Sequence, residues 1–480
     1  MEQHRLHIGG EWVAATGGGT FPAHDPATGA RIADLALGTV EDVDLAVRAA
    51  RLAAPGLAAA SVEQRAAWCE AAADAVVAHA DELARILAED QGKPLVAEAR
   101  GEVLTAAKGF RDAAGHVRHL DGTVPHAEDP NKKVLCVRRA RGVYAVITPW
   151  NFPVNIPTEY LAPALATGNA VVWVPAPSTS RIAVRFAEVL IGSGIPAGAL
   201  NLVTGPGAVV GDALVGHPDV DAVGFTGSTA TGLSIARRAA GKPLLLELGG
   251  NGPTIVLDDA DLAGAAKAIA AGAYFNGGQV CAATEVVLVE RGVHDELARL
   301  VLEETRKVVQ GDPLDPATTM GPLNNEATAQ KMDAHILDAE ERGAGVAAGG
   351  RRADDSSLFY APTVLTDVPA EADVVRFETF GPLVPLVPVD SAEEAVRIAQ
   401  GPQFGLSSAV WSRSASRAFA VAERLRTGIV NINDSSTYWE IHMPFGGGSG
   451  TLSGLGRLGG MHTLLEMTEI KTITFDVTTF

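Results

Sequence analysis

From Gly142 onward the chain repeats one pattern: a short unbroken apolar run, then a stretch of helical character. Val143–Ile147 reads VYAVI and Ala170–Val174 reads AVVWV, with no alternation of polar and apolar residues. Shorter runs follow at 200–203, 222–225 and 244–246, separated by amphipathic or Ala-rich stretches such as 182–190 and 230–240. Strands that do not alternate must be covered on both faces, which points to a parallel sheet with helices on either side. Such sheets bind ligands at the carboxyl ends of their strands. A second α/β unit begins near Asn251, with strand-like runs at 253–257, 285–289 and 384–388 and a helix-like stretch at 261–271.

The flanking regions differ from this pattern. The first hundred or so residues read as mainly helical, with Ala-rich periodic stretches at 40–60 and 61–87; Ser61 followed by Gln64 forms a capping box. Residues 121–139 are broken by Gly122, Pro125 and Pro130 before a β-like run at 134–137, an excursion from the main body that reads as a hairpin. The tail, 468–478, reads as a terminal strand.

At 480 residues the chain exceeds one hydrophobic core, so two or three domains are expected. Its formal net charge of −19 argues against a nucleic-acid surface, which needs clustered positive charge. The three cysteines, Cys69, Cys136 and Cys281, form no metal-ligand spacing and suit a reducing compartment. No metal site is expected. With no long apolar window and no signal-like N-terminus, a cytoplasmic location is the expectation.

Four constellations carry chemistry. A lone cysteine is by default a small buried hydrophobe. Cys281, however, follows Asn276-Gly-Gly-Gln-Val on a loop after a helix, a setting where thiols are activated. Glu247 ends an apolar strand and is followed by Leu248-Gly-Gly-Asn251. Burial there would raise its pKa into the range of a general base, the alternative being a paired or capping acid. Thr148-Pro-Trp-Asn-Phe-Pro153 stiffens a turn that could aim the Asn151 amide at an oxyanion, or serve as structure only. Phe225-Thr-Gly-Ser-Thr exposes backbone N–H groups where a helix begins, which attracts a diphosphate.

Taken together, these residues resemble the NAD(P)-dependent aldehyde dehydrogenase family, from Ile8-Gly-Gly-Glu-Trp12 to Lys471-Thr-Ile-Thr474. The likeness includes Glu247-Leu-Gly-Gly250, Gly278-Gln-Val-Cys281, Glu378-Thr-Phe-Gly-Pro382 and Pro444-Phe-Gly-Gly447. It implies oxidation of an aldehyde to the acid. Cys281 would form the thiohemiacetal and thioester, Asn151 and the Cys281 N–H would hold the oxyanion, and Glu247 would activate the hydrolytic water. The implied cofactor contacts are Ile147, Thr148, Trp150, Val174, Pro177, Gly207, Gly211, Phe225, Gly227, Ser228, Leu248, Glu378 and Phe380. The implied substrate contacts are Phe152, Ile156, Val280, Trp439 and Phe445.

The implied fold is a Rossmann-type cofactor domain (1–120 and 141–249), an α/β catalytic domain (250–445) and a β oligomerisation arm (121–140 and 464–480) that builds a homodimer or homotetramer. Val174 and Pro177 stand where relatives carry a lysine and often an acid. Losing the acid removes repulsion of a 2′-phosphate, and losing the lysine removes attraction for one, so NAD is expected with NADP as the alternative. Tyr160 and Leu458 replace a further lysine and acid. For the substrate, the aromatics suit an apolar aldehyde, Glu159 and Glu440 a cationic one, and Lys108 and Arg111 an anionic one. A coenzyme-A-acylating relative commonly lacks the base, and a silent one would lack Cys281 or Asn151.

Overall fold

The computed structural model describes residues 2–354, 356–401 and 403–479. Met1, Asp355, Pro402 and Phe480, which fall in the ranges expected above, lie outside the described residues. The fold is mixed α/β, as the unalternating runs require. One sheet has eight strands, five of them parallel at its centre in the order Leu244–Glu247, Ala222–Thr226, Val143–Ile147, Ala170–Val174 and Leu200–Leu202. Strands Ala170–Val174 and Ala222–Thr226 are buried throughout, which explains why neither alternates. From Val143–Ile147 the chain builds outward one way, then crosses back to add Ala222–Thr226 on the other side. The strand order therefore reverses between these two neighbours, where ligand clefts form at carboxyl ends.

The second sheet has seven strands, with Pro253–Val256 and Val286–Glu290 adjacent and parallel at its centre. Its flanking strands Leu383–Val389, Ser407–Trp411, Ile429–Ile432 and Thr363–Thr366 are also parallel, and only Gly345–Ala348 runs antiparallel. Separate apolar clusters fill the two units, so each sheet has its own buried core.

The N-terminal region departs from the helical reading. Five short strands occupy Glu2–His4, Leu6–Ile8, Glu11–Val13, Thr20–His24 and Arg31–Ala36 before the first helix, Val40–Ala59. Runs of three to six residues carry too little periodicity to register in a sequence. From Val40 the helical reading holds, and the Ser61–Gln64 capping box forms in both directions. No single helix among the described residues is long and apolar enough to cross a membrane.

Residues 132–140 make a nine-residue strand, Lys132–Ala140, whose partner is not local. It pairs antiparallel with Thr468–Asp476 along its whole length, while the bridge Thr123–Cys136 supplies the only hairpin character among the described residues.

Candidate active site

Two segments cross from the first sheet to the second and meet. Leu244–Glu247 ends at the carboxyl edge of the first sheet, and the chain then enters Pro253–Val256. The helix Leu262–Tyr274 ends in a tight turn at Phe275–Gly278, with Asn276 at φ 51°, and Cys281 follows before Val286–Glu290. Because Pro253 and Val286 pair in register, the two lead-in segments run side by side. Their closeness explains the glycine pair: a β-carbon on Gly250 would stand 2.4 Å from the Cys281 carbonyl oxygen, and one on Gly249 2.9 Å from the Glu378 carboxylate.

The Cys281 thiol and the Glu247 carboxylate line the same two cavities, and each perturbs the ionisation of the other. Burial raises Glu247 to about 8, with the Glu378 carboxylate adding to the shift and the thiol opposing it. One Glu247 oxygen, Oε1, is buried without a partner, an arrangement suited to a group that takes up a proton. Burial also raises the Cys281 thiol well above its ordinary range, reinforced by Glu247, Glu378 and Glu159. The thiol therefore rests protonated and needs the adjacent base to become a nucleophile.

Asn151 is 4 % exposed and donates from Nδ2 to the Gln279 carbonyl oxygen at 2.9 Å. Its own carbonyl oxygen accepts from Lys93 Nζ at 3.1 Å and from Asn276 Nδ2 at 3.0 Å. Lys93 and Glu102 form a buried ion pair, and Glu102 Oε1 accepts the N–H groups of Val154 and Asn155 at 3.0 and 3.1 Å. Glu98 accepts the Asn276 N–H at 3.0 Å, and burial raises its carboxyl to about 7 against the pull of Lys93. Gln279 closes the network by accepting the Asn324 N–H at 2.8 Å. Lys93, Glu98, Glu102, Asn276 and Gln279 thus brace the loops holding Asn151 and Cys281. Sequence reasoning missed this bracing: the residues are scattered over some two hundred positions, and no local pattern joins them.

Cys281 and Glu247 stand where two cavities meet. The first, about 1070 Å³, is lined by Phe152, Ile156, Val280, Trp439 and Phe445, all five expected substrate contacts, together with Phe275 and Glu159. The second, about 640 Å³, opens at the point of strand-order reversal and is lined by Trp150, Asn151, Gly227, Ser228, Glu378 and Phe380. Ser228 caps the helix Thr229–Arg238, accepting the Thr231 N–H at 3.3 Å. Trp150 meets Phe380 edge to face, with ring centroids 5.6 Å apart. Phe380 is held at φ 64° by Glu285, whose carboxylate accepts its N–H at 2.8 Å.

Of the remaining expected cofactor contacts, Ile147 lies level with Val174 and Phe225 at the ends of three adjacent strands. Thr148 accepts from Trp173 Nε1 at 2.8 Å. Gly207–Gly211 forms a helical turn after the next strand, Pro177 opens the turn Pro177–Thr179, and Leu248 packs over Gly232. These eight flank the second cavity and do not line it. Lys331 and Thr328 do line it and had no sequence signal, because they sit on the distant helix Glu326–Glu341.

The charged residues weighed for substrate binding divide sharply. Glu159 lines the first cavity. Lys108 pairs with Asp112 and Arg111 with Asp74 on the surface, and Glu440 accepts from the exposed Tyr438, so none of these three lines it. Tyr160 is buried and hydrogen-bonds Thr226 Oγ1 at 2.8 Å. No cluster of metal-binding side chains occurs among the described residues.

A thiol, a carboxyl and an amide thus come together between an apolar cavity and a strand-end cleft. The chain belongs to the aldehyde dehydrogenase family, whose pattern it matches over residues 12–473. It is 38 % identical over 466 residues to the NADP(+) succinate-semialdehyde dehydrogenase of Escherichia coli, covering 97 % of this chain and 96 % of that one. It is 37 % identical to the glutarate-semialdehyde dehydrogenase of Pseudomonas putida, covering 99 % and 98 %. Among solved structures, betaine aldehyde dehydrogenase from Staphylococcus aureus in complex with NAD+ superposes with a TM-score of 0.95 at 33 % identity, covering 99 % and 95 %.

Proposed function

We propose that the chain oxidises a small aldehyde to the carboxylic acid with NAD(P)+, with Cys281 as nucleophile, Glu247 as base and Asn151 as oxyanion donor. The placing of the Cys281 thiol and the Glu247 carboxylate together at the junction of the two cavities carries this reading. Glu247 takes the thiol proton as sulfur adds to the carbonyl carbon. The second Asn151 amide hydrogen and the Cys281 N–H receive the oxyanion.

The residues of the second cavity fit a dinucleotide: a helix N-terminus at Ser228 for the diphosphate, Glu378 for ribose hydroxyls, and Trp150 and Phe380 beside the ring. When bound, that cofactor would supply the hydride acceptor, so that the thiohemiacetal held on Cys281 would become a thioester. Glu247 releases the thiol proton to solvent, then takes a proton from the water that attacks the thioester and returns it to the departing sulfur, regenerating the thiol. NAD is the favoured cofactor, with NADP accommodated; relatives named for each are similar to this chain. A panel of aldehydes run with each cofactor, following reduced nicotinamide, tests the reading. No oxidation of any aldehyde would refute it.

The division into a cofactor domain (1–120 and 141–249), a catalytic domain (250–445) and an arm (121–140 and 464–480) is supported by the two sheets and the separate strand pair. Ile473, Phe475 and Leu135 are exposed on one face of that strand pair, an apolar face suited to a second copy of the chain in a homodimer or homotetramer.

A further inference from the structure

The ionisable groups that line the aldehyde-side cavity are mostly carboxyls. Four carboxyl groups line it, Glu98, Glu102, Glu159 and Glu247, against one cation, Lys93. Lys93 is already committed: it pairs with Glu102, donates to the Asn151 carbonyl oxygen, and lies 3.7 Å from the centroid of the Phe152 ring. Glu98 accepts the Asn276 N–H, and Glu247 serves the thiol. Glu159 is the carboxyl with no such employment.

Glu159 lies one turn along the helix Asn155–Thr167 from Asn155, whose Nδ2 donates to its Oε1 at 2.9 Å. Among the described residues no donor reaches its other oxygen. The side chain is 8 % exposed and faces the same cavity as Cys281. Burial, with Glu247 close by, keeps its carboxyl well above the ordinary range, so the wall lacks a counter-charge there. Phe152, Ile156, Trp439 and Phe445 supply an apolar sleeve for methylene groups, and the rings of Trp439 and Phe445 stand 5.2 Å apart. Aromatic faces of this kind also accept cations.

We propose that Glu159 sets the specificity of this cavity, selecting aldehydes that bear an ammonium group a few carbons from the carbonyl over aldehydes that bear a carboxylate. This rests on the aldehyde-oxidising function proposed above. The semialdehydes for which several relatives are named end in a carboxylate. In this cavity that group would find no unpaired cation, Lys93 being already paired, whereas an ammonium group favours the ionised form of the Glu159 carboxyl beside it and gains an ion-pair partner.

The test compares kcat/KM of the full chain for 3-aminopropanal, its neutral isostere butanal, and 4-oxobutanoate. The wild type is expected to favour 3-aminopropanal over 4-oxobutanoate by roughly tenfold or more. Glu159→Gln should lower the ratio of 3-aminopropanal to butanal by about tenfold, and Glu159→Arg should raise 4-oxobutanoate relative to butanal. A wild type that prefers 4-oxobutanoate, or a Glu159→Gln ratio within about twofold of the wild type, overturns the assignment.

A second measurement needs neither turnover nor a variant: protection of Cys281 from iodoacetamide, read by mass spectrometry. Protection by 3-aminopropan-1-ol exceeding that by butan-1-ol and 4-hydroxybutanoate supports Glu159 even if no aldehyde is oxidised, in which case only the activity fails. Stronger protection by 4-hydroxybutanoate overturns the Glu159 assignment whatever the activity.

Discussion

The side-chain amide of Asn151 donates to the carbonyl oxygen of Gln279 across 2.9 Å, tying the oxyanion donor to the loop that ends in Cys281. One amide hydrogen is spent on direction so that the other is aimed. Asn151→Ala should therefore lower kcat by about a hundred- to a thousandfold, the usual cost of one oxyanion donor. Because the bracing contacts run through the Asn151 backbone carbonyl, thermal unfolding should change little. Unimpaired turnover would remove Asn151 from the mechanism.

Cys281→Ala should abolish cofactor reduction with every aldehyde. Glu247→Gln should slow both acylation and deacylation, since the same carboxylate takes the thiol proton and activates the water, so reduced cofactor should accumulate slowly and without a burst. Stopped-flow absorbance distinguishes this from a steady state equal to the wild type, which would show that Glu247 is not the base.

The pH profile follows from the raised carboxyl. Glu247 must be ionised to accept a proton, and burial holds it to about 8, so kcat should climb from pH 6 and level off above pH 8. The apparent value belongs to the thiol–carboxyl pair. A profile already flat from pH 5 would mean that Glu247 is ionised throughout and that its burial has no kinetic effect.

Lys93→Met strands Glu102 without its partner at a site where the two side chains are 0 % and 3 % exposed. Stability should fall by about 3–5 kcal/mol, as measured by denaturant unfolding. Adding Glu102→Leu should restore much of that loss without restoring kcat, since the Asn151 carbonyl keeps only its Asn276 donor and the N–H groups of Val154 and Asn155 lose Glu102. Recovery of both would make the pair structural only.

Leu135→Asp with Ile473→Asp should dissociate the proposed homo-oligomer, read by sedimentation. An unchanged mass would place the subunit contact elsewhere.

The central sheets were legible because burial on both faces leaves an unbroken apolar run such as Ala170–Val174. The strand pairing of Lys132–Ala140 with Thr468–Asp476 was not legible from the residues, since pairing across more than three hundred positions leaves no local trace; only the family likeness suggested it. The thiol, base and amide were legible because each sits beside glycine or proline that fixes its backbone. Lys93, Glu98 and Glu102 were not, because a buried ion pair looks like any surface pair until the fold encloses it.

The two cavities have only Glu247 and Cys281 in common. Traffic through the enzyme therefore uses two doors. In the proposed reaction an acyl group on the sulfur would extend into one cavity and leave the other open, so that departure of the reduced cofactor and hydrolysis of the thioester would not compete for one exit.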